Sequence, residues 1–321
     1  MAYIFDPAVA IDVEVRRVVT DQLGEALSRL ERVHDATPHE IEDAVHQVRK
    51  RTKEVRAVAR LVRGALGKDY MRFNELVRDG AAELSSIRDA HALLETFDQL
   101  IDASGSTPDL VLVRAGQAER SEQATRSISG GDPRIERAHA LLAKALRRVE
   151  RWTIPNSFDV LAAGLNTTYR VGRTDWRIAA RSADDELIHE WRKAAKHLWY
   201  QVRLVGQSAP SILHPLIDVL DTLAEALGND HDLAVLISQM EATPYAFGGA
   251  AAVAAAIEVA RAEQQTLRKP AHRLGATIYA ESPKAFIERL SAYWSNTKRL
   301  GVELPAGGIA DLAKLQGSGP R

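Results

Sequence analysis

Two stretches of this sequence carry the same pattern of cationic side chains, His-x-x-Arg-Lys-x-x-Lys, at a constant offset of 143 residues, as between His46 and His189. On an α-helix, the cations of the first stretch fall within an arc of about 120°, and valines lie on the opposite side. Such a face suits phosphate groups, although a solvated helix surface is the simpler reading. Repetition favours anion binding by His46, Arg49, Lys50, Lys53, Arg56, Arg60, His189, Arg192, Lys193, Lys196 and Arg203.

The same offset continues beyond the basic stretches. It places Asp89 on Asp232, and the flanking Leu84 and Leu93 on Leu227 and Leu236. The chain is therefore predicted to be internally duplicated. Two copies of one unit usually pack about a pseudo-twofold axis, which would bring the two basic helices toward one surface.

Other polar residues receive weaker assignments. Trp199 stands where the first stretch has Arg56, so the two faces are not identical. We expect a structural role for Arg88, Asp89 and Asp232, because a carboxylate on a neighbouring helix can orient a basic side chain. Residues that could widen the anion-binding surface are Tyr200, Arg170, Arg173, Arg268, Lys269, His272 and Arg273.

An enzyme is the competing interpretation. His231-Asp232 is similar to the doublet of metal-dependent phosphohydrolases, and His189 and Asp89 would complete such a site. The match covers two residues, and several cations within two helical turns would repel a divalent ion. We find no phosphate-cradling glycine loop, zinc-ligand spacing or Ser-His-Asp order. The sequence thus predicts a binding protein with no catalytic residue, metal or cofactor.

Composition limits the partners. The 321 residues are 45% hydrophobic and 26% charged, with a net charge of −1, as in an ordinary soluble protein. Nucleic acid is disfavoured as a partner because the pI is about 6.8. The absence of cysteine excludes disulfides and thiolate metal sites. The start lacks the features of a signal peptide and no long apolar run suggests a membrane span, so the cytoplasm is expected. The oligomeric state stays open.

Apolar residues recur at intervals of three and four, which predicts an all-α protein. Thr37, Pro38 and Glu40 form an N-terminal capping signature for the first basic helix. We divide the chain into repeats at 1–153 and 154–300 and a flexible tail at 301–321. The predicted helices are Pro7–Val33, Pro38–Leu66, Asp69–Asp102, Leu110–Ser127, one ending near Trp152, Phe158–Ala180, Asp184–Gln207, one ending near Met240, Gly249–Ala280 and one opening at Pro283.

These motifs resemble the CHAD domain, an α-helical family named for its histidines, from about Asp12 to Trp294. The first family motif matches His46, Arg49, Lys53 and Arg56, and the second matches His189, Arg192, Lys193, Lys196, Leu198 and Tyr200. The steps that follow them look like Arg88-Asp89 and Leu227-Gly228 to Asp232, whereas Trp199 and Val55 depart from the pattern. The resemblance implies an all-α fold of two antiparallel helical bundles related by a pseudo-twofold axis. It also implies a basic groove that binds inorganic polyphosphate without catalysis, often on polyphosphate granules.

Overall fold

The computed structural model of the chain describes residues 2–126 and 129–300, and for 86–91 and residue 300 it describes the backbone alone. Within these residues every regular element is helical, which confirms the predicted all-α class. The α-helices are α1 Ile11–Glu31, α2 Pro38–Leu61, α3 Arg63–Leu66, α4 Lys68–Glu83, α5 Ser85–Ser104, α6 Pro108–Arg126, α7 Pro133–Val149, α8 Phe158–Ala179, α9 Asp185–Val205, α10 Pro210–Ala242, α11 Ala250–Ile278 and α12 Pro283–Leu300.

The first basic helix, α2, begins as the sequence predicts. Thr37 accepts a hydrogen bond from the backbone N–H of Glu40, and the Glu40 carboxylate accepts one from the backbone N–H of Thr37. These two bonds satisfy donors that the first helical turn leaves free. Its buried face includes Val48, Val55 and Ala59, all fully buried, so the opposite face is left for the cations.

Several predicted boundaries differ from the structure, as for α1, which spans Ile11–Glu31 and not Pro7–Val33. The helix predicted over Asp69–Asp102 is two helices, α4 and α5, separated at the buried Leu84. The first basic helix ends at Leu61, and the short α3 continues to Leu66. The prediction for the C-terminal segment at 301–321 lies outside the described residues.

Each hydrophobic core contains residues from helices of both the N-terminal and the C-terminal part of the chain. In the N-terminal part α1 packs against α2 and α7, and α4 packs against α2 and α7. In the C-terminal part α8 packs against α9 and α12, and α9 against α10. One large core includes Val48 of α2 and Leu198 of α9, while a smaller core joins α5 and α6 to α10 and α11. The internal duplication and its pseudo-twofold axis stay predictions.

Helix α8 crosses the end of α2 at a glycine. A Cβ atom at Gly164 would lie 2.0 Å from the carbonyl oxygen of Leu61, far inside van der Waals contact. Only the missing side chain permits this approach. The crossing places α8 beside both basic helices, where it forms one wall of the site described next.

No helix in the described part of the chain is long and apolar enough to cross a lipid bilayer.

Candidate anion-binding groove

The two basic helices pack against each other and present their cations to one cavity of about 490 Å³, which we call the basic groove. α8 contributes Val171 and Asp175 to its wall. The cationic side chains that line it among the described residues are Lys53, Arg56, Arg60, Arg192, Lys193 and Lys196. The structure thus brings cations from both predicted stretches to one surface.

Lys53 is the most crowded of these cations. Burial above all, and then the charges of Lys196, Arg49 and Arg192, lower its pKa to about 8, against a smaller opposite effect of Asp232. The side chain still reaches solvent, because it lies on a concave surface with protein atoms on most sides and water on one. Two of the three cations that lower the Lys53 pKa belong to α9. Positive side chains of the two basic helices therefore lie close to one another.

The α9 cations are also poorly solvated. Burial lowers the pKa of Arg192 and of Lys196, and Arg192 lowers the Lys196 pKa further. Asp232 on α10 acts in the opposite direction on both, as expected for an acid that supports the basic helix. Arg192 Nε is buried, and it has no hydrogen-bond partner among the residues described. Part of the hydrogen-bonding capacity of this guanidinium is therefore unused.

His197 is a groove residue that the sequence analysis did not identify. It lines the groove between the two basic helices, and burial, together with the charges of Arg60 and Arg56, lowers its pKa to about 3. Its neutral ring puts no further charge among the cations. The signal was present, since His197 lies one helical turn after Lys193, but the residue at the repeat position in α2 is Glu54.

The predicted histidines lie half-buried beside the cations. The rings of His189 and His231 stack with centroids 4.2 Å apart. Burial lowers the pKa of both, to about 4 for His231, and Arg192 and Lys193 act in the same direction. In α2, His46 has a buried Nδ1 atom that lacks a hydrogen-bond partner within the described chain. His189 and His231 are thus neutral near pH 7 and able to take up a proton when an anion arrives.

Trp199, which replaces the arginine of the first stretch, lies between two cations and contacts both. Its ring centroid is 5.8 Å from Lys196 Nζ and 4.7 Å from Arg203 Cζ, both within the range of cation–π attraction. The ring also contacts Tyr200, whose pKa burial raises well above its ordinary value. Tyr200 lines the groove, and Trp199 lies beside it, between Lys196 and Arg203.

Arg203 has a structural position. Its guanidinium lies 3.6 Å from the buried Glu54 carboxylate and 5.1 Å from the centroid of the Tyr3 ring. Glu54 also accepts a hydrogen bond from Arg51. Arg203 thus joins α9 to α2 beneath the cations and does not line the groove.

The remaining cations of the two stretches differ in their surroundings. Arg56 Nε donates to Asn74 of α4 at 2.9 Å, and burial lowers its pKa. Lys50 is exposed on α2. Lys193 contacts Glu190 on its own helix. The pKa of Asp175, across the groove, is raised mainly by burial and in addition by the negative charge of Glu190. One end of the groove therefore contains acids.

The residues with weaker assignments do not gather at the groove, except for Tyr200. Arg268 is buried, with Nε 2.6 Å from Asp230 and an Nη atom 2.5 Å from Asp185, so it joins α11 to α10 and α9. His272 stacks on Trp191, with ring centroids 5.1 Å apart. The others lie on α8 or α11: Arg173, whose Nε donates to the Tyr279 carbonyl, and the exposed Arg170, Lys269 and Arg273.

Two assignments cannot be placed, because the side chains of Arg88 and Asp89 lie outside the described residues. The competing enzyme site would combine Asp89 with His231, Asp232 and His189. In the part of the chain that the structure describes, no three His, Asp or Glu side chains form a group that could hold a metal ion.

Comparison with known proteins adds the family. Residues 17–241 match the family model described as the CHAD domain. PptA from Streptomyces chartreusis has a similar structure, with a TM-score of 0.58 at 15% sequence identity over 85% of this chain and 100% of that chain, which shows a shared fold. No curated protein matches this chain. Since the matched region covers more than half of the sequence and includes both basic helices, the chain belongs to the CHAD-domain family.

Proposed function

We propose that this protein binds inorganic polyphosphate in the basic groove and does not catalyse its turnover. The observation that carries the proposal is the crowding around Lys53, whose pKa is lowered to about 8 by burial and by cations from both basic helices. Cations held this close repel one another, and a polyanion that enters the groove offsets the repulsion. Membership of the CHAD-domain family supports the same ligand.

The form of the site favours a chain of phosphates over a single anion. Six cations line the groove among the described residues, three from α2 and three from α9. One phosphate contacts two or three guanidinium or ammonium groups at a time, so an extended polymer can engage cations that a short anion leaves unpaired. Affinity is therefore expected to rise with chain length and to fall steeply with salt.

The duplication enters the proposal as its structural origin. We take residues 1–153 and 154–300 as two copies of one unit, related by a pseudo-twofold axis and together forming one CHAD domain. Each copy supplies one basic helix, and the groove is the place where the two helices meet. In a cell, such a protein is expected in the cytoplasm, on polyphosphate granules.

The test is a calorimetric titration with long-chain polyphosphate at two salt concentrations. Between about 50 and about 200 mM salt, affinity should fall roughly 10²- to 10³-fold if about six phosphates are neutralised. The variant Lys53→Ala, Arg192→Ala, Lys193→Ala, Lys196→Ala removes four cations that line the groove and should lose binding. Its circular dichroism spectrum and thermal transition establish that it is folded.

The matched control removes four exposed cations that do not line the groove: Arg126, Lys144, Arg177 and Lys284. It changes the net charge by the same amount, so it should bind polyphosphate as the wild type does. Equal loss in both variants would mean that total charge, and not the groove, determines binding. Phosphate release from polyphosphate in the presence of divalent metals would favour the phosphohydrolase instead.

A further inference from the structure

A second cavity of about 490 Å³ adjoins the basic groove. Arg60, His197, Val171 and Ala194 line both cavities, so the two form one continuous depression along α2, α8 and α9. Arg60 Nε is buried at this junction, and no described residue accepts its hydrogen bond. The arrangement places a cation at the point where one cavity passes into the other.

The walls of the second cavity differ from those of the groove. Met71 is 53% exposed and Val171 43% exposed, which are large values for apolar side chains. Thr167 and Thr168 add hydroxyl groups from α8. A phosphate chain gains nothing from Met71 and Val171, because it has no apolar surface to bury. The cavity suits the uncharged, partly polar body of a ligand whose anionic part lies in the groove.

A planar ring matches these walls better than an acyl chain does. Arg63 lies at the cavity with its Cζ atom 5.0 Å from the centroid of the Tyr70 ring. Guanidinium groups held near aromatic rings also stack on nucleobases. The Thr167 hydroxyl donates to the Ala163 carbonyl at 2.9 Å, so its oxygen can still accept a hydrogen bond, which an acyl chain cannot give. A ribose and a base can accept and donate hydrogen bonds there.

We propose that the protein binds nucleoside polyphosphates, with the nucleoside in the second cavity and the phosphates on the adjoining cations of the basic groove. This inference rests on the proposed function, because the same cations would hold the phosphates. It differs in making part of the affinity depend on an uncharged group. Inorganic polyphosphate would use the groove alone.

The experiment compares metal-free adenosine triphosphate with inorganic tripolyphosphate by calorimetry. The two ligands carry the same number of phosphates, and tripolyphosphate has the higher charge, so electrostatics alone would favour tripolyphosphate. We expect adenosine triphosphate to bind about ten-fold more tightly, as a partly buried apolar ring can contribute. The variant Gly64→Leu should remove this advantage by filling the second cavity, and it should leave tripolyphosphate binding unchanged.

Gly64 is a suitable position because a Cβ atom there would meet no described atom within 4 Å. Gly24→Leu is the matched control, since Gly24 in α1 has equally open surroundings and lines neither cavity. Adenosine triphosphate that binds no more tightly than tripolyphosphate, or that ignores Gly64→Leu, would overturn the inference while leaving polyphosphate binding intact. Nucleotide binding sensitive to Gly64→Leu, with no binding of long-chain polyphosphate, would instead overturn the proposed function alone.

Discussion

Lys53 provides the sharpest test of the groove, because its charge depends on whether the groove is filled. With a pKa of about 8, the free protein carries about half a charge on this side chain at pH 8. A bound polyanion favours the charged form, so binding at pH 8 should take up about 0.5 proton at this residue. Between pH 7 and pH 9 the affinity should fall about ten-fold as the free amine loses its proton.

The variant Lys53→Arg keeps the positive charge and removes this titration, since arginine stays protonated throughout the range. Proton uptake is measured by calorimetry at pH 8 in two buffers that differ in ionisation enthalpy. The difference between wild type and variant isolates Lys53 from the polyphosphate ends and the α-amino group. Identical proton uptake in the two proteins would refute the reasoning.

The same residue connects binding with stability. Its pKa is lower in the folded protein than in the unfolded chain, so the unfolded chain binds more protons above pH 8. The destabilisation caused by crowding is therefore fully present at pH 7 and is relieved as the pH rises from about 8 toward about 10.4. Lys53→Met should raise the midpoint of urea unfolding at pH 7 while weakening polyphosphate binding.

Three further predictions concern residues around the groove. In the wild type, polyphosphate affinity should increase about ten-fold from pH 7 to pH 5, because bound phosphate raises the low pKa of the His189 and His231 imidazoles. Replacing both histidines with glutamine should remove this increase. Arg268→Met should cost about 3–5 kcal/mol in urea unfolding, because it leaves the buried Asp230 carboxylate without its cation. Gly164→Ala should cost about 1–3 kcal/mol in the same assay, because its methyl group overlaps the end of α2.

Each of these predictions has its own control. The lowered imidazole pKa values also mean that the free protein loses stability as the pH falls below about 6.5, because the unfolded chain takes up those protons first. The glutamine variant should show a smaller loss in acid unfolding. Arg268→Met should bind polyphosphate normally while folded, and Gly24→Ala should be neutral or stabilising where Gly164→Ala is not. If folded Arg268→Met bound polyphosphate more weakly than the wild type, Arg268 would have a role in binding and not only in stability.

Much of the fold could be read from local signals. The capping box at Thr37 and Glu40 depends on neighbouring residues only, and the structure confirms it. The break at Leu84 could not be read, because the chain there continues an apolar helical pattern and the buried leucine resembles its neighbours. The offset of 143 residues aligns it with Leu227, which lies inside the continuous α10. Which of two similar leucines interrupts a helix depends on tertiary packing.

The candidate site was predictable where charge and spacing were enough, as for Lys53 and Lys196. The burial of each side chain was not predictable, since the spacing of residues around one helix cannot show that Arg203 contacts the buried Glu54. His197 could not be predicted from the repeat, because the residue at the equivalent position of the first stretch is the acid Glu54. Arg268 belongs to a basic cluster in the sequence, whereas in the fold it lies beside Asp230, which is 38 residues away along the chain. Burial and partners on other helices determined these differences.

The two sides of the groove are chemically unlike, because α2 contributes the Arg56 guanidinium, bonded to Asn74, whereas α9 contributes the rings of His197 and Tyr200. Inorganic polyphosphate has identical ends, so a long chain threads through such a groove equally well in either direction and has many equivalent registers. A nucleoside polyphosphate has a head and a tail. The second cavity would fix its polarity, so the same protein would hold one ligand in a single orientation and let the other slide.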